Sequence, residues 1–247
     1  MSVTLIGIDC AADESRMGLA LGVLSSEGVV RVERATLGTA GESAVATVAS
    51  WIGRSGRFVL ALDAPLGWPV ALTRVLRGHR AGEAFQKPAQ AVLRRNTEQA
   101  VAELCGRLPK EVGADRIARM AVCALDTLAH VRAAAQRPVP MAWCQGEDSG
   151  VIEVHPGSTL RAYGLAVGAY RGQSIKARAC RRDVVKALAG WVELGSRREL
   201  LVDDPHLLDA AISVLAAADF ARAACMPPAD PGLAQREGWI WVRAKRA

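Results

Sequence analysis

Three apolar runs of this chain each deliver an acid near their ends. Val3-Thr4-Leu5-Ile6-Gly7-Ile8 leads to Asp9, Phe58-Val59-Leu60-Ala61-Leu62 leads to Asp63, and Val151-Ile152 leads to Glu153. A fourth acid, Asp209, stands in the run His206-Leu207-Leu208-Asp209-Ala210-Ala211. A buried strand has little use for a carboxylate, because an ionised group taken out of water is costly unless it is paired. A strand end that opens into a cleft has a use for one: holding a cation or a proton. Several ionised carboxylates in one cleft raise one another's pKa values. A divalent cation removes that penalty, and Mg²⁺ or Mn²⁺ suits hard oxygen ligands. Two such ions about 3.5–4 Å apart would activate water and stabilise the leaving oxygen of an in-line phosphodiester displacement. Asp9, Asp63, Glu153 and Asp209 are therefore the candidate catalytic residues and metal ligands, with Asp9 bridging the ions.

Basic residues supply the complementary half. Arg94 and Arg95 precede Asn96-Thr97-Glu98, and Arg181 and Arg182 lie in a run from 171 to 186 that carries a single acid, Asp183. These four arginines are candidate phosphate clamps. Each feature also has a plainer role. Asp9 can end a strand, Asp63 before Ala64-Pro65 can accept in an Asx turn, Glu153 can face water, and Asp209 can pair with an arginine. Asn96 or Thr97 can cap a helix, and the 171–186 run can be a solvated helix face. His206 and Asp209 are three apart and share one helix edge, where His206 can orient a water or a ligand. Cys10 has no partnered histidine to make it a nucleophile.

The elements that must position these groups follow from the apolar pattern. Residues 3–9, 17–24 and 29–36 read as a three-stranded meander with a turn at Ser25-Ser26-Glu27-Gly28. Residues 42–53 have a helical stripe, and 58–63 is a fully apolar fourth strand. Two prolines and a glycine make 64–69 a rigid loop. From 70 to 137 the pattern is mostly helical and rich in arginine, with 78–97 as loop and 114–135 as a long helix. Residues 151–155 form the fifth strand, Ser158 caps a short helix through Tyr163, and Asp204-Pro205 opens a last long helix to about Cys225. Gly238-Trp239-Ile240-Trp241-Val242 adds a short edge strand. Three meander strands followed by two strands with helical crossovers give a mixed sheet covered by helices, an α/β fold. Ligands of such sheets bind at the carboxyl ends of strands where the order reverses.

The chain has 247 residues, 51% of them hydrophobic, enough for a sizeable core. No linker divides it, so residues 1–247 read as one domain with a helical insertion at about 64–148. A net charge of +6 permits a polyanionic partner without demanding one. Six cysteines lack any Cys-x-x-Cys spacing and only four histidines exist, which argues against zinc. With no signal peptide or membrane-length apolar stretch, these thiols place the protein in the reducing cytoplasm, away from membranes.

The chain resembles the DUF429 family at Gly7-Ile8-Asp9, Ala61-Leu62-Asp63-Ala64-Pro65-Leu66-Gly67, Arg95-Asn96-Thr97-Glu98, Val151-Ile152-Glu153-Val154-His155-Pro156 and the Asp209-Ala210-Ala211 helix. The Asp-Ala-Pro-Leu-Gly and Glu-Val-His-Pro segments are the most specific. After Asp9, Cys10 to Ser15 replaces the glycine-rich turn expected of the family. The resemblance implies a ribonuclease H-like five-stranded sheet of order 3-2-1-4-5 with strand two antiparallel. It also implies a nuclease-like metal site on Asp9, Asp63, Glu153 and Asp209. The leading function is thus a Mg²⁺- or Mn²⁺-dependent nuclease acting on nucleic acid, RNA or DNA. The alternative is a non-catalytic nucleic-acid- or protein-binding module on the same fold. An actin-like ATPase would need a second domain and glycine-rich phosphate loops.

Overall fold

The computed structural model of the protein describes residues 2–38, 43–113, 115–146, 149–165 and 168–245. Residues 42 and 114, the first residues expected of two helices, lie outside that set, as do 147 and 148 at the end of the expected insertion. One mixed sheet organises the chain: β1 (Val3–Asp9), β2 (Gly18–Leu24), β3 (Val30–Leu37), β4 (Arg57–Leu62) and β5 (Ser149–Glu153), in the order β3-β2-β1-β4-β5. β2 is antiparallel to both neighbours, while β1, β4 and β5 run parallel. The carboxyl ends of the three parallel strands therefore open on one edge, and β1 is where the strand order reverses.

Helices cover both faces. The long helix α9 (Pro205–Ala221) crosses β1, β2 and β4 on one face, joined there by α6 (Pro156–Ala162), α7 (Ile175–Leu188) and α8 (Arg198–Asp203). α1 (Ala44–Gly53) and α5 (Asp115–Ala134) cover the other. α5 is thus a layer of the main core, although it closes the stretch read as an insertion. Between the strands and α5 lie α2 (Val70–Leu76), α3 (Ala89–Leu93) and α4 (Asn96–Cys105); α10 (Pro231–Glu237) follows α9. α3 falls inside the segment expected to be loop. Residues 239–242 run beside β5 through a bridge between Glu153 and Ile240, without extending into a strand.

Local chemistry sets the helix starts. Asp204 caps α9 by accepting from the amides of His206 and Leu207, with Pro205 at the first helical position, as the sequence predicts. At α6 the cap is His155 rather than Ser158: its side chain accepts from the Ser158 amide. Pro156 explains the shift, since its fixed φ and missing N–H suit the first helical position and place the cap one residue earlier.

α9 lies unusually close to the sheet because glycines face it. A Cβ on Gly7 would sit 2.1 Å from the Ala210 carbonyl, and one on Gly18 would sit 2.1 Å from the His206 carbonyl. Alanines 210, 211, 216, 217 and 218 keep the helix side of the contact thin. The close approach carries Asp209 and His206 to the end of β1. Gly7→Ala must push α9 away by its backbone, because the obstructing atom belongs to the main chain. We expect a loss of about 2–3 kcal/mol of stability, read as a midpoint shift of roughly 5–10 °C in thermal unfolding.

Candidate metal centre

Asp9, Asp63 and Asp209 meet at the open edge. Each offers an oxygen, and the three oxygens lie within 4.8 Å of one another. Asp9 ends β1, Asp63 follows β4 directly, and its amide donates to the Ile8 carbonyl at 2.9 Å, continuing the parallel ladder. Asp209 comes down from α9. The side chains of Asp63 and Asp209 are 10% and 3% exposed, so little water screens them.

Positive groups stand around this triad. Arg171 reaches across it, donating from Nη2 to Asp63 Oδ2 at 2.9 Å and from Nε to Asp209 Oδ2 at 2.7 Å. The Tyr170 hydroxyl donates to Asp209 Oδ1 at 2.6 Å. His206 Nδ1 lies 2.5 Å from Asp9 Oδ2. Burial dominates the acids' titration. It pushes Asp63 up to about 7 and Asp209 up to about 6, in each case against the pull of Arg171. Asp9 is also raised by burial, although its bond to His206 works the other way. The same bond raises His206, whose charged form it favours.

Glu153 stands apart from the triad. The β4–β5 register pairs it with Leu62, whereas Asp63 is one residue further on. Side chains alternate along a strand, so Glu153 projects to the face of Ile8 and Leu62, opposite to Asp9 and Asp63. There it is buried against Arg95, with contacts of 2.6 and 2.9 Å, and it accepts from the Leu66 amide at 2.9 Å. Arg95 also binds Glu98 and the Glu237 carbonyl. A guanidinium 1% exposed and surrounded in this way has no free edge for a phosphate. Arg95 joins β5, the loop after β4, α4 and α10.

The other arginines named from sequence divide. Arg181 is 2% exposed and donates to the carbonyls of Tyr170, Gly172 and Val202, bracing the segment that presents Arg171. Arg94 pairs with Glu111 at 2.9 Å. Arg182 is exposed on α7. Neither lies among the groups that contact the triad. Arg171 is the site residue that pattern reading passed over, because a loop arginine at the head of a basic run looks like any solvated cation. Two metal-free features also escaped the sequence: the buried Asp219 bound by Arg243 and Tyr163, and Glu237, which accepts from the amides of Val70 and Asn96.

The donor set fits a divalent cation. Three hard carboxylate oxygens converge where burial makes their charge costly, and two of them already draw a guanidinium. No other group of three or more potential ligands of this kind occurs among the described residues, and all six cysteines are free thiols. None of the helices is long and apolar enough to cross a membrane among the described residues.

A mixed α/β sheet with an acidic triad at the switch in strand order defines the class. The family model described as "Protein of unknown function (DUF429)" matches residues 7–232, and the chain belongs to that family. No curated protein matches the sequence. Among solved structures, the yeast mitochondrial Holliday junction resolvase Ydc2 is similar over 89% of this chain and 83% of its own, at 8% identity and a TM-score of 0.32. A likeness of that size carries no argument about activity.

Ligand carboxylates must be ionised to bind a cation. With Asp63 near 7 and Asp209 near 6, Mn²⁺ affinity should rise from pH 5 to about 7 and then level off. Without added metal the sign reverses for stability: raised carboxylates favour the folded state below their ordinary range, and that contribution is lost as pH climbs toward 7. Arg171 competes for the same oxygens. The two pairs, each a half-exposed guanidinium on a nearly buried carboxylate, are worth about 1–2 kcal/mol together, so Arg171→Gln should bind Mn²⁺ roughly tenfold tighter at pH 8 by calorimetry.

Proposed function

We propose that the protein is a divalent-metal-dependent nuclease, with residues 1–247 acting as one ribonuclease H-like domain and 64–148 as its helical insertion. The observation that carries this reading is the convergence of Asp9, Asp63 and Asp209 within 4.8 Å at the carboxyl edge of the sheet. A buried carboxylate triad is poorly explained by stability alone, because apolar residues would fill the space without a desolvation cost. The nucleic acid can be RNA or DNA, and Mg²⁺ or Mn²⁺ is the expected ion.

Asp9, Asp63 and Asp209 would hold the cation, which when bound supplies Lewis-acid polarisation of a phosphoryl oxygen and an acidified water. Glu153 is not assigned to this set, since Arg95 already occupies both of its oxygens. The remaining work falls to protein side chains. His206, bonded to Asp9 and 26% exposed, can accept the proton lost when water attacks phosphorus, or return one to the departing oxygen. Arg171, which reaches across Asp63 and Asp209, would offer its guanidinium to the non-bridging phosphate oxygens. Tyr170 keeps Asp209 oriented. The ester P–O bond breaks as the new P–O bond to water forms.

One observation favours the non-catalytic alternative. Arg171 and His206 already contact the triad and offset part of its charge without an ion. The two readings separate in one assay. Purified protein is incubated with labelled single- and double-stranded RNA and DNA in Mn²⁺, beside Asp9→Asn and Asp209→Asn. The nuclease reading expects cleavage that falls at least about 100-fold in both variants. Equal residual activity in wild type and Asp9→Asn assigns the cleavage to a contaminant and sinks it. Metal-independent binding without turnover supports the alternative.

A further inference from the structure

A second feature lies on the α10 side of the site. α2 and α10 bound an open groove of about 590 Å³. Arg74 of α2, Lys87 of the loop before α3 and Arg236 of α10 line it, with Val70 and Leu233 among its apolar residues. Two acids also line it; backbone amides orient both and leave their negative charge in place, so three cations stand against two anions. Glu237 is 6% exposed and accepts from the amides of Val70 and Asn96. Asp230 caps α10 by accepting from the Leu233 amide at 2.9 Å. The three cations differ: all are exposed, and none has a hydrogen-bonded or ionic partner among the described residues. Exposed arginines without a partner occur elsewhere among the described residues, as at Arg34, Arg54 and Arg182, so what distinguishes these three cations is that they converge on one groove.

The groove is joined to the acidic edge. The loop from Asp63 ends at Val70 on the groove wall, seven residues that reach at most about 25 Å. Glu237, on that same wall, gives its carbonyl to Arg95, the guanidinium that holds the end of β5. The reach of that loop is an upper bound on the separation between Asp63 and the groove wall.

We propose that this groove is the track for the phosphate backbone of single-stranded nucleic acid beyond the scissile bond. The inference rests on the nuclease reading and extends it. Arg74, Lys87 and Arg236 hold successive phosphates, and the apolar residues take the sugar edges. Among the described residues no aromatic, amide or hydroxyl side chain lines the groove, so with Arg74, Lys87 and Arg236 given to phosphates no aromatic platform remains for a base. Binding is therefore independent of sequence and driven by counterion release.

The test is fluorescence anisotropy of fluorescein-labelled 20-mers of dT and of mixed sequence, with chelator present so that cleavage is silent. Wild type should bind both alike, with log Kd against log salt showing a slope of magnitude about 2, three phosphates each giving about 0.7. The triple variant Arg74→Gln/Lys87→Gln/Arg236→Gln should lose nearly all of that slope and bind at least about tenfold more weakly. Arg34→Gln on β3, at the far edge of the sheet, is the control and should bind like wild type. Circular dichroism melting and the Mn²⁺ titration of the triple variant should match wild type, which excludes misfolding. Salt-insensitive or absent binding by wild type overturns the proposal. So does a triple variant that binds like Arg34→Gln. If Mn²⁺ neither binds nor supports cleavage while groove binding follows the expected pattern, the nuclease reading fails and the track stands.

Discussion

Taking carboxylates out of water is the constraint around which this molecule is arranged. Each acid that loses solvent must gain a positive charge or a set of donors, since the alternative is a shifted pKa and a neutral group. Among the described residues, three places meet it with charged side-chain partners, while Glu237 meets it with the amides of Val70 and Asn96. Arg95 lies between Glu98 and Glu153, Arg243 and the Tyr163 hydroxyl hold Asp219, and Arg171 with His206 flanks the triad. The first two are closed arrangements, because their acids are at most 2% exposed. The third is open. Arg171 remains 51% exposed and comes from a loop, so its hold on Asp63 and Asp209 can be exchanged for another cation.

That difference separates support from chemistry. The Arg95 cluster binds β5, the loop after β4, α4 and α10 into one piece, and this fixes the path of the chain as it leaves Asp63. A residue that braces four elements cannot also move to greet a substrate. The triad sits on the opposite face of the sheet, at the switch in strand order, where parallel strands leave their carboxyl ends without a crossing connection. Its third member arrives from α9, and only because Gly7 and Gly18 let that helix approach nearly to backbone contact. Small residues in a strand here govern electrostatics several ångströms away.

The groove between α2 and α10 extends the same logic to the surface. Unpaired cations cost little where water reaches them, and three of them converge on this groove. Its wall shares Glu237 with the α2 cap and its carbonyl with Arg95. The surface, the bracing cluster and the strand ends are thus mechanically continuous.

Much of this was legible in the residues themselves. Apolar runs ending in Asp9 and Asp63, the Asp204-Pro205 start of α9 and the meander of the first three strands each follow from local rules of period, cap and turn. The sheet order followed from the family resemblance. Local rules cannot fix which side of a sheet a residue faces relative to a distant strand. Glu153 ends an apolar run as Asp9 does, yet a pairing offset by one residue relative to Asp63 turns it to the other face and into the grip of Arg95. Arg95 and Arg181 read as candidate phosphate clamps because composition does not reveal burial. Arg171 read as one more cation in a basic run, and only the chain's return past β4 and α9 sets it across two carboxylates. The sequence by itself determined the five sheet strands, the long helices and the acids at the ends of β1 and β4, because those elements depend on neighbours along the chain; it did not determine α3 or the 239–242 segment. Tertiary structure alone decided which acids share a pocket and which bases neutralise them, because charge interactions act through space and are set by register and packing.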